Sequence, residues 1–331
     1  MTYTNFKPLF YPITVITMIY SYFLYLVSPE INAMMQYDST YHYLYKHLIA
    51  MVVGIVIWIL LSSKEQWFDR VGAGLLIGSL IVYALMSIAP VSMVPYFDGK
   101  QVLLNLGIVS IAPAYYYAVG MIWLISWADR NGYNITKVTF SVMVLNALIL
   151  LYYRDLSMLA VLEAVCVAIL IGRNGLNTVT IGAIVALIVG AGFLIITSEH
   201  YMNQLGLMIS HIGSVRLPDG MYRAYGAETF GMIISEIGWI GFLVLIGAYG
   251  WLMYRINALG DSLFIKGTVW FVGITVIVNL MYTFTLFPAV STRPFLAGLG
   301  HSQIIAFFVM LGMNFMARKN SIIFVNRKDV K

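Results

Sequence analysis

Residues 225–241, YGAETFGMIISEIGWIG, decide how the rest of the chain is read. They follow a polar connection, residues 198–227, and open an apolar segment that runs to about Tyr254. Two carboxylates lie in the stretch. Glu228 stands at the boundary and Glu236 lies eight residues deeper, about 12 Å along a helix that rises ~1.5 Å per residue. An acid inside hydrocarbon costs several kcal/mol unless it is paired or faces water. Glu236 is therefore read either as an acid lining a cavity or as polar glue between two helices.

Working outward, the 331 residues are 61% hydrophobic and only 10% charged, with a mean hydropathy of +0.86. So little charge leaves no polar surface for a water-soluble domain, which makes the chain an all-α polytopic membrane protein. The net charge of +5 comes from basic residues scattered singly, a pattern that does not suggest nucleic acid as a partner. One cysteine, Cys166, excludes an internal disulfide and a cysteine-rich metal site. The first apolar run, residues 9–27, is too long for the core of a cleavable signal peptide.

Runs of suitable length predict ten spans: residues 9–27, 46–62, 71–89, 109–127, 136–153, 157–172, 178–197, 228–254, 264–286 and 300–317. In the fourth, Gly107 and Pro113 interrupt the pattern, so its approach is a hairpin or a tilted half-helix. A proline inside a spanning helix would also free a carbonyl that something nearby must satisfy. Placing both termini in the cytoplasm puts thirteen basic residues on that side and six on the other, together the chain's nineteen. This is the bias expected of cytoplasmic loops. The large loop 198–227, between spans seven and eight, is then external. No internal repeat interrupts the chain, so residues 1–331 form one membrane domain, with a short basic tail, 318–331, held against anionic headgroups.

No nucleotide-binding loop, zinc spacing or nucleophile elbow is present. The chemistry rests on polar residues of the external side: Asp155, Arg216, Asp219, Arg223, Glu228 and Arg293, with His301 and Ser302 just inside the tenth span. External acids beside arginines can hold a phosphate-bearing substrate while one carboxylate acts as base. Loop charges at a water interface can equally be solvated and inert. Glu163, in MLAVLEAVCVAIL, sits mid-span among apolar neighbours. It faces a cavity, is protonated, or pairs across helices.

Four segments in order resemble the SEDS family of bacterial membrane proteins, the RodA, FtsW and SpoVE group. ETFGMIISEIGWIG resembles that family's T-D-F-x-F-A-x-x-x-E-E-x-G-x-x-G, with Phe230, Glu236, Gly238 and Gly241 in register. RPFLAGLGHSQIIAFFVMLGM resembles P-F-x-S-Y-G-G-S-S-x and the helix after it, through Pro294, Phe295, Gly300 and Ser302. YYRDLSMLAVL resembles Q-P-D-L-G-T-A at Asp155 and Leu156, and LNLGIVSIAPAYYYAV resembles L-G-x-x-S-x-Q-P-S-E-x-x-K at Leu106, Gly107, Ser110 and Pro113.

The resemblance implies a peptidoglycan glycosyltransferase in the bacterial inner membrane that polymerises lipid II on the outer face, beside a class B penicillin-binding protein. It implies a base at Glu228, one place from Ala227, where the family's aspartate falls. Asp155, Arg293 and Arg223 would surround the substrate head group, with Ser302 and Gly300 on the wall of the site. Glu236, Glu163, Pro113 and Pro294 would be structural or cavity residues. No fixed cofactor is implied; a divalent cation is one way to meet the charge of the departing diphosphate. The chain also departs from the pattern: Tyr115 and Ala118 stand where a glutamate and a lysine are expected, and Ser235 where the first of two glutamates is expected. These losses keep open a non-catalytic relative that binds the penicillin-binding protein or lipid II as a scaffold. A lipid flippase or transporter is a third reading, since buried Glu163 and Glu236 suit a proton-coupled carrier.

Overall fold

The computed structural model describes residues 7–35, 40–90, 92–94, 96–97, 100–101, 103–106, 110–178, 180–185, 188, 229–284, 286, 294–297 and 301–328. Among them, nine long helices and two minimal hairpins make the fold. The helices are α1 (Lys7–Met35), α2 (His42–Ser62), α3 (Phe68–Ile88), α4 (Pro113–Arg130), α5 (Ile135–Tyr152), α6 (Leu156–Asn174), α7 (Thr229–Asn257), α8 (Leu263–Thr283) and α9 (His301–Lys328). The strands are β1 (Tyr96–Phe97) paired antiparallel with β2 (Lys100–Gln101), and β3 (Leu104–Asn105) paired antiparallel with β4 (Ser110–Ile111).

Seven segments among the described residues are long and apolar enough to cross a membrane: Lys7–Glu30, His42–Ser62, Glu65–Ile88, Ile135–Tyr152, Leu156–Asn174, Thr229–Asn257 and Leu263–Thr283. Each falls on an expected span. Ile49, Val52, Val56 and Leu60 are exposed along α2, as are Ile77, Ile81, Leu85 and Ile88 along α3. Apolar stripes at helical spacing are what lipid contact requires, and water would not tolerate them. The chain is a multi-pass helical membrane protein.

The fourth and tenth expected spans form helices of a different kind. In α4, 12 of 18 residues are buried, and in α9 residues 302–304 and 306–317 all are. A helix enclosed by protein has no lipid to match, so it can carry Ser126, Gln303 and Asn314, all buried. The expected tenth span ends at 317, whereas α9 runs on through the basic tail to Lys328. Most of the expected span 178–197 lies outside the described residues.

Small residues set the packing. A Cβ on Gly120 of α4 would lie 2.9 Å from the backbone of Leu76 in α3, and one on Gly54 of α2 would lie 2.2 Å from the Phe308 ring in α9. Trp58 meets both Phe308 and Phe315 at 6.0 Å, and Gly312 faces Leu61. Contacting residues thus advance together, so α2 and α9 run parallel. At one end of the bundle, Arg130 pairs with Asp69 at 2.5 Å and Arg173 with Asp129 at 2.9 Å. Arg130 also covers the ring of Phe68 at 4.8 Å.

The stretch read first holds a surprise. Within α7, Gly238 has φ 84° and ψ 173°, a region that essentially only glycine occupies. The helix is broken there. Thr229 to Ile234 are buried, while Ser235 and Glu236 are exposed. Glu236 is thus not the buried acid that the carrier reading takes it for.

Candidate functional site

Pro113 is the first residue of α4, where its missing N–H and fixed φ cost nothing. No carbonyl is freed, which corrects the expectation of a proline inside the span. The approach to it is the β3–β4 hairpin, one of the two forms expected. From β4 the chain is tied to α9 through Ser302. The Ser302 hydroxyl donates to the Ser110 carbonyl at 2.9 Å and accepts from the Ala112 N–H at 3.1 Å. Ser302 is only 7% exposed. Expected as a substrate contact, it bolts two backbones together here, using its one O–H and one of its two acceptor sites.

The segment before α9 is a tight turn. Ala297 N–H donates to the Pro294 carbonyl at 3.2 Å, and the Gln303 amide donates to the same carbonyl at 2.5 Å. The Tyr249 hydroxyl donates to the Phe295 carbonyl. Leu296 adopts φ 66°, strained for a branched side chain. Phe295, fully buried, is ringed by Phe271 at 5.0 Å, Phe307 at 5.5 Å and Tyr115 at 5.7 Å. Pro294 thus lends its carbonyl to two donors of the turn. Tyr115, where the resemblance calls for an acid, is used for packing, and Ala118 one turn on is wholly buried.

Asp155 caps α6: its carboxylate accepts from the Met158 N–H at 3.2 Å, a favourable place for negative charge. The turn into it places Arg154 at φ 56°. Asp155 is 8% exposed and acts electrostatically on Tyr83. The Tyr153 hydroxyl donates to the Tyr83 carbonyl, and the two rings lie 4.8 Å apart. Burial holds the Tyr153 phenol above its usual range.

Glu163 lies deeper in α6, 7% exposed. Around it are Asn146 of α5, Cys166 and Tyr117. Tyr117 donates to the Asn146 Oδ1 at 3.0 Å. Glu163 Oε1 finds no partner among the described residues. Its side chain hydrogen-bonds Asn146 across the α5–α6 contact, and no basic group is among the charges acting on it within the described structure.

Six of the expected site residues, Arg216, Asp219, Arg223, Glu228, Arg293 and Gly300, lie outside the described residues. Among those described, no group of three or more His, Cys, Asp or Glu is assembled that could hold a metal ion. The sequence reading did not single out His47 of α2. It is 3% exposed, packs edge-on to Tyr20 at 5.0 Å and lies within electrostatic reach of His301. The available signal was HYLYKH, residues 42–47, at the head of a span.

No family model matches the chain. Two curated relatives, each named "Probable peptidoglycan glycosyltransferase FtsW", come from Helicobacter pylori strains 26695 and J99. The chain is 26% identical to them over 219 and 220 residues, covering 60% of this chain. The match spans 56% of those relatives' length. Among solved structures, a chain of a peptidoglycan synthase complex that coordinates polymerization and crosslinking is similar with a TM-score of 0.73 and 21% identity, covering 94% of this chain and 97% of that one. The rod shape determining protein RodA of Thermus thermophilus is similar at 0.65 and 20%, covering 94% and 96%. The likeness extends over nearly the whole fold.

Proposed function

From membership of the SEDS family, to which this chain belongs by its sequence relatives and its fold, we propose that it is a peptidoglycan glycosyltransferase. It polymerises lipid II on the outer face of the bacterial inner membrane, beside a class B penicillin-binding protein. The observation that carries this reading is the likeness over 94% of the chain to a protein whose complex joins polymerization to crosslinking.

In this reading Glu228 takes the proton from the acceptor sugar's 4-hydroxyl as that oxygen attacks the donor's anomeric carbon. A carbon–oxygen bond forms there, and the bond to the undecaprenyl diphosphate breaks. Arg223 and Arg293 meet the charge of the departing group. Asp155, Ser302 and Gly300 join the arginines around the substrate head group in this reading. The seven apolar segments support a membrane setting for a lipid-tailed substrate.

The test is polymerisation of labelled lipid II by the purified protein, with and without its penicillin-binding protein, for wild type and Glu228→Gln. Polymer from wild type alone establishes enzyme and base together. Equal polymer from both keeps the enzyme and removes Glu228 from its role. One observation favours a second reading, a non-catalytic scaffold: Tyr115 and Ala118 fill with packing the places where the resemblance calls for a glutamate and a lysine. No polymer from either protein, with binding to the partner or lipid II retained, selects it.

A further inference from the structure

Where α4, α5 and α6 meet, hydrogen-bonding side chains close on one another inside the bundle. The Tyr117 hydroxyl of α4 donates to Asn146 Oδ1 of α5 at 3.0 Å. The Asn146 amide also reaches α6, where Glu163 hydrogen-bonds it and Cys166 Sγ lies 4.0 Å from its Nδ2. Glu163 and Cys166 stand three residues apart, on one face of α6. Tyr117 and Asn146 are wholly buried, and Glu163 and Cys166 nearly so.

One atom of this cluster is left over. Glu163 Oε1 has no partner among the described residues. An ionised carboxylate there would be a full charge inside the membrane, met by a neutral amide alone. The surrounding helices bring no cation to it. No charged residue lies in α4 before Asp129, in α5 after Lys137, in α8 after Lys266, or in α6 between Glu163 and Arg173. On the far side of α6, α8 approaches closely enough that a Cβ on Gly267 would lie 3.5 Å from Ile169. The titratable groups within electrostatic reach of Glu163 are Tyr117 and Cys166, types that are ordinarily uncharged at neutral pH. A metal ion does not fit either. Calcium takes about six to eight oxygen ligands and magnesium about six, against one free carboxyl oxygen and the spare lone pair of Asn146 Oδ1. A proton needs a single oxygen.

We propose that the seam between α4, α5 and α6 is a reversible proton-binding site, with the proton on Glu163, the carboxyl fixed by Asn146, and Asn146 fixed by Tyr117. Uptake forms one O–H bond at the carboxylate with a proton from bulk water, and nothing is oxidised or reduced. Once the proton leaves, a full charge stands between α5 and α6, so occupancy of the site sets how closely the two helices hold. The site stands independently of the glycosyltransferase reading.

The experiment records infrared spectra of the full chain in dodecyl maltoside, a detergent without carbonyl groups, and subtracts those of Glu163→Gln at each pH. A solvated glutamate, with a pKa of ~4.3, is ionised about fifty to one at pH 6. Wild type is expected to show the stretch of a protonated carboxyl at pH 6, displaced in D2O and lost reversibly as the solution is made alkaline. Asn146→Leu, which removes the amide, is expected to move that band to higher frequency, as a carboxyl does on losing a hydrogen bond. Unfolding temperatures are measured alongside; if Asn146→Leu does not fold, Tyr117→Phe, which frees the amide, is read in its place for the same displacement. Absence of the band from folded wild type at pH 6 overturns the site. So does a band that persists unchanged to about pH 10, since that acid would be permanently neutral. A band unmoved in a folded variant of the amide or its phenol overturns the assignment of the cluster.

Discussion

Ser302 holds Ser110 across 192 residues of sequence, its hydroxyl donating to the Ser110 carbonyl while accepting from the Ala112 N–H. The bond fixes where α4 begins relative to α9. Ser302→Ala removes both contacts and leaves a half-buried N–H and carbonyl without this partner, a cost of about 1 kcal/mol. The variant is expected to unfold at lower temperature in detergent. An unchanged unfolding temperature would mean that the hydroxyl is free for substrate.

Gly238 gives a prediction whose sign separates two structures. In a straight helix, Gly238→Ala would stabilise by roughly 0.5–1 kcal/mol. At φ 84° and ψ 173° the same change instead costs about 1–3 kcal/mol of backbone strain. Chemical unfolding is expected to show the loss. A gain would mean that α7 runs unbroken past Glu236.

Glu163 has no ionic partner among the described residues, so its charge is not needed there. Glu163→Gln is expected to leave stability unchanged or raise it, whereas removing one member of a buried ion pair would cost roughly 3–5 kcal/mol. Unfolding measurements on the variant decide between these. The carrier reading makes a separate demand: the same substitution would then abolish proton-dependent flux in liposomes.

Gly120 and Gly78 form a matched pair. Alanine at Gly120 must move the Leu76 backbone, 2.9 Å from its new Cβ, and is expected to destabilise by about 1–3 kcal/mol. Alanine at Gly78, with nothing within 4 Å, is expected to be neutral or stabilising by up to ~1 kcal/mol. Equal effects in the two variants would mean that α3 and α4 do not touch closely.

What the sequence made legible was local. Length and apolarity located the spans, and Pro113 with Gly107 flagged a hairpin before α4. The enclosure of α4 and α9 was not legible, since it depends on which helices surround them, and an apolar run reads alike inside a bundle or against lipid. The exposure of Glu236 and the break at Gly238 were not legible either, since a glycine in a membrane helix gives no warning of a break. The bolt at Ser302 was not legible because its two backbone partners lie nearly two hundred positions away.

The parallel pairing of α2 with α9 has a temporal side. Gly54 and Trp58 are shaped for Phe308 and Phe315, which are translated roughly 250 residues later; at about 5–20 residues per second that is on the order of 10–50 s. During that interval the groove on α2 faces lipid, water or a helper protein. The enclosed helix then has to enter a bundle whose outer members already stand in the bilayer. Assembly of this protein therefore depends on keeping a seat open, and lesions at Gly54 would act on the nascent chain before any finished molecule exists to be weakened.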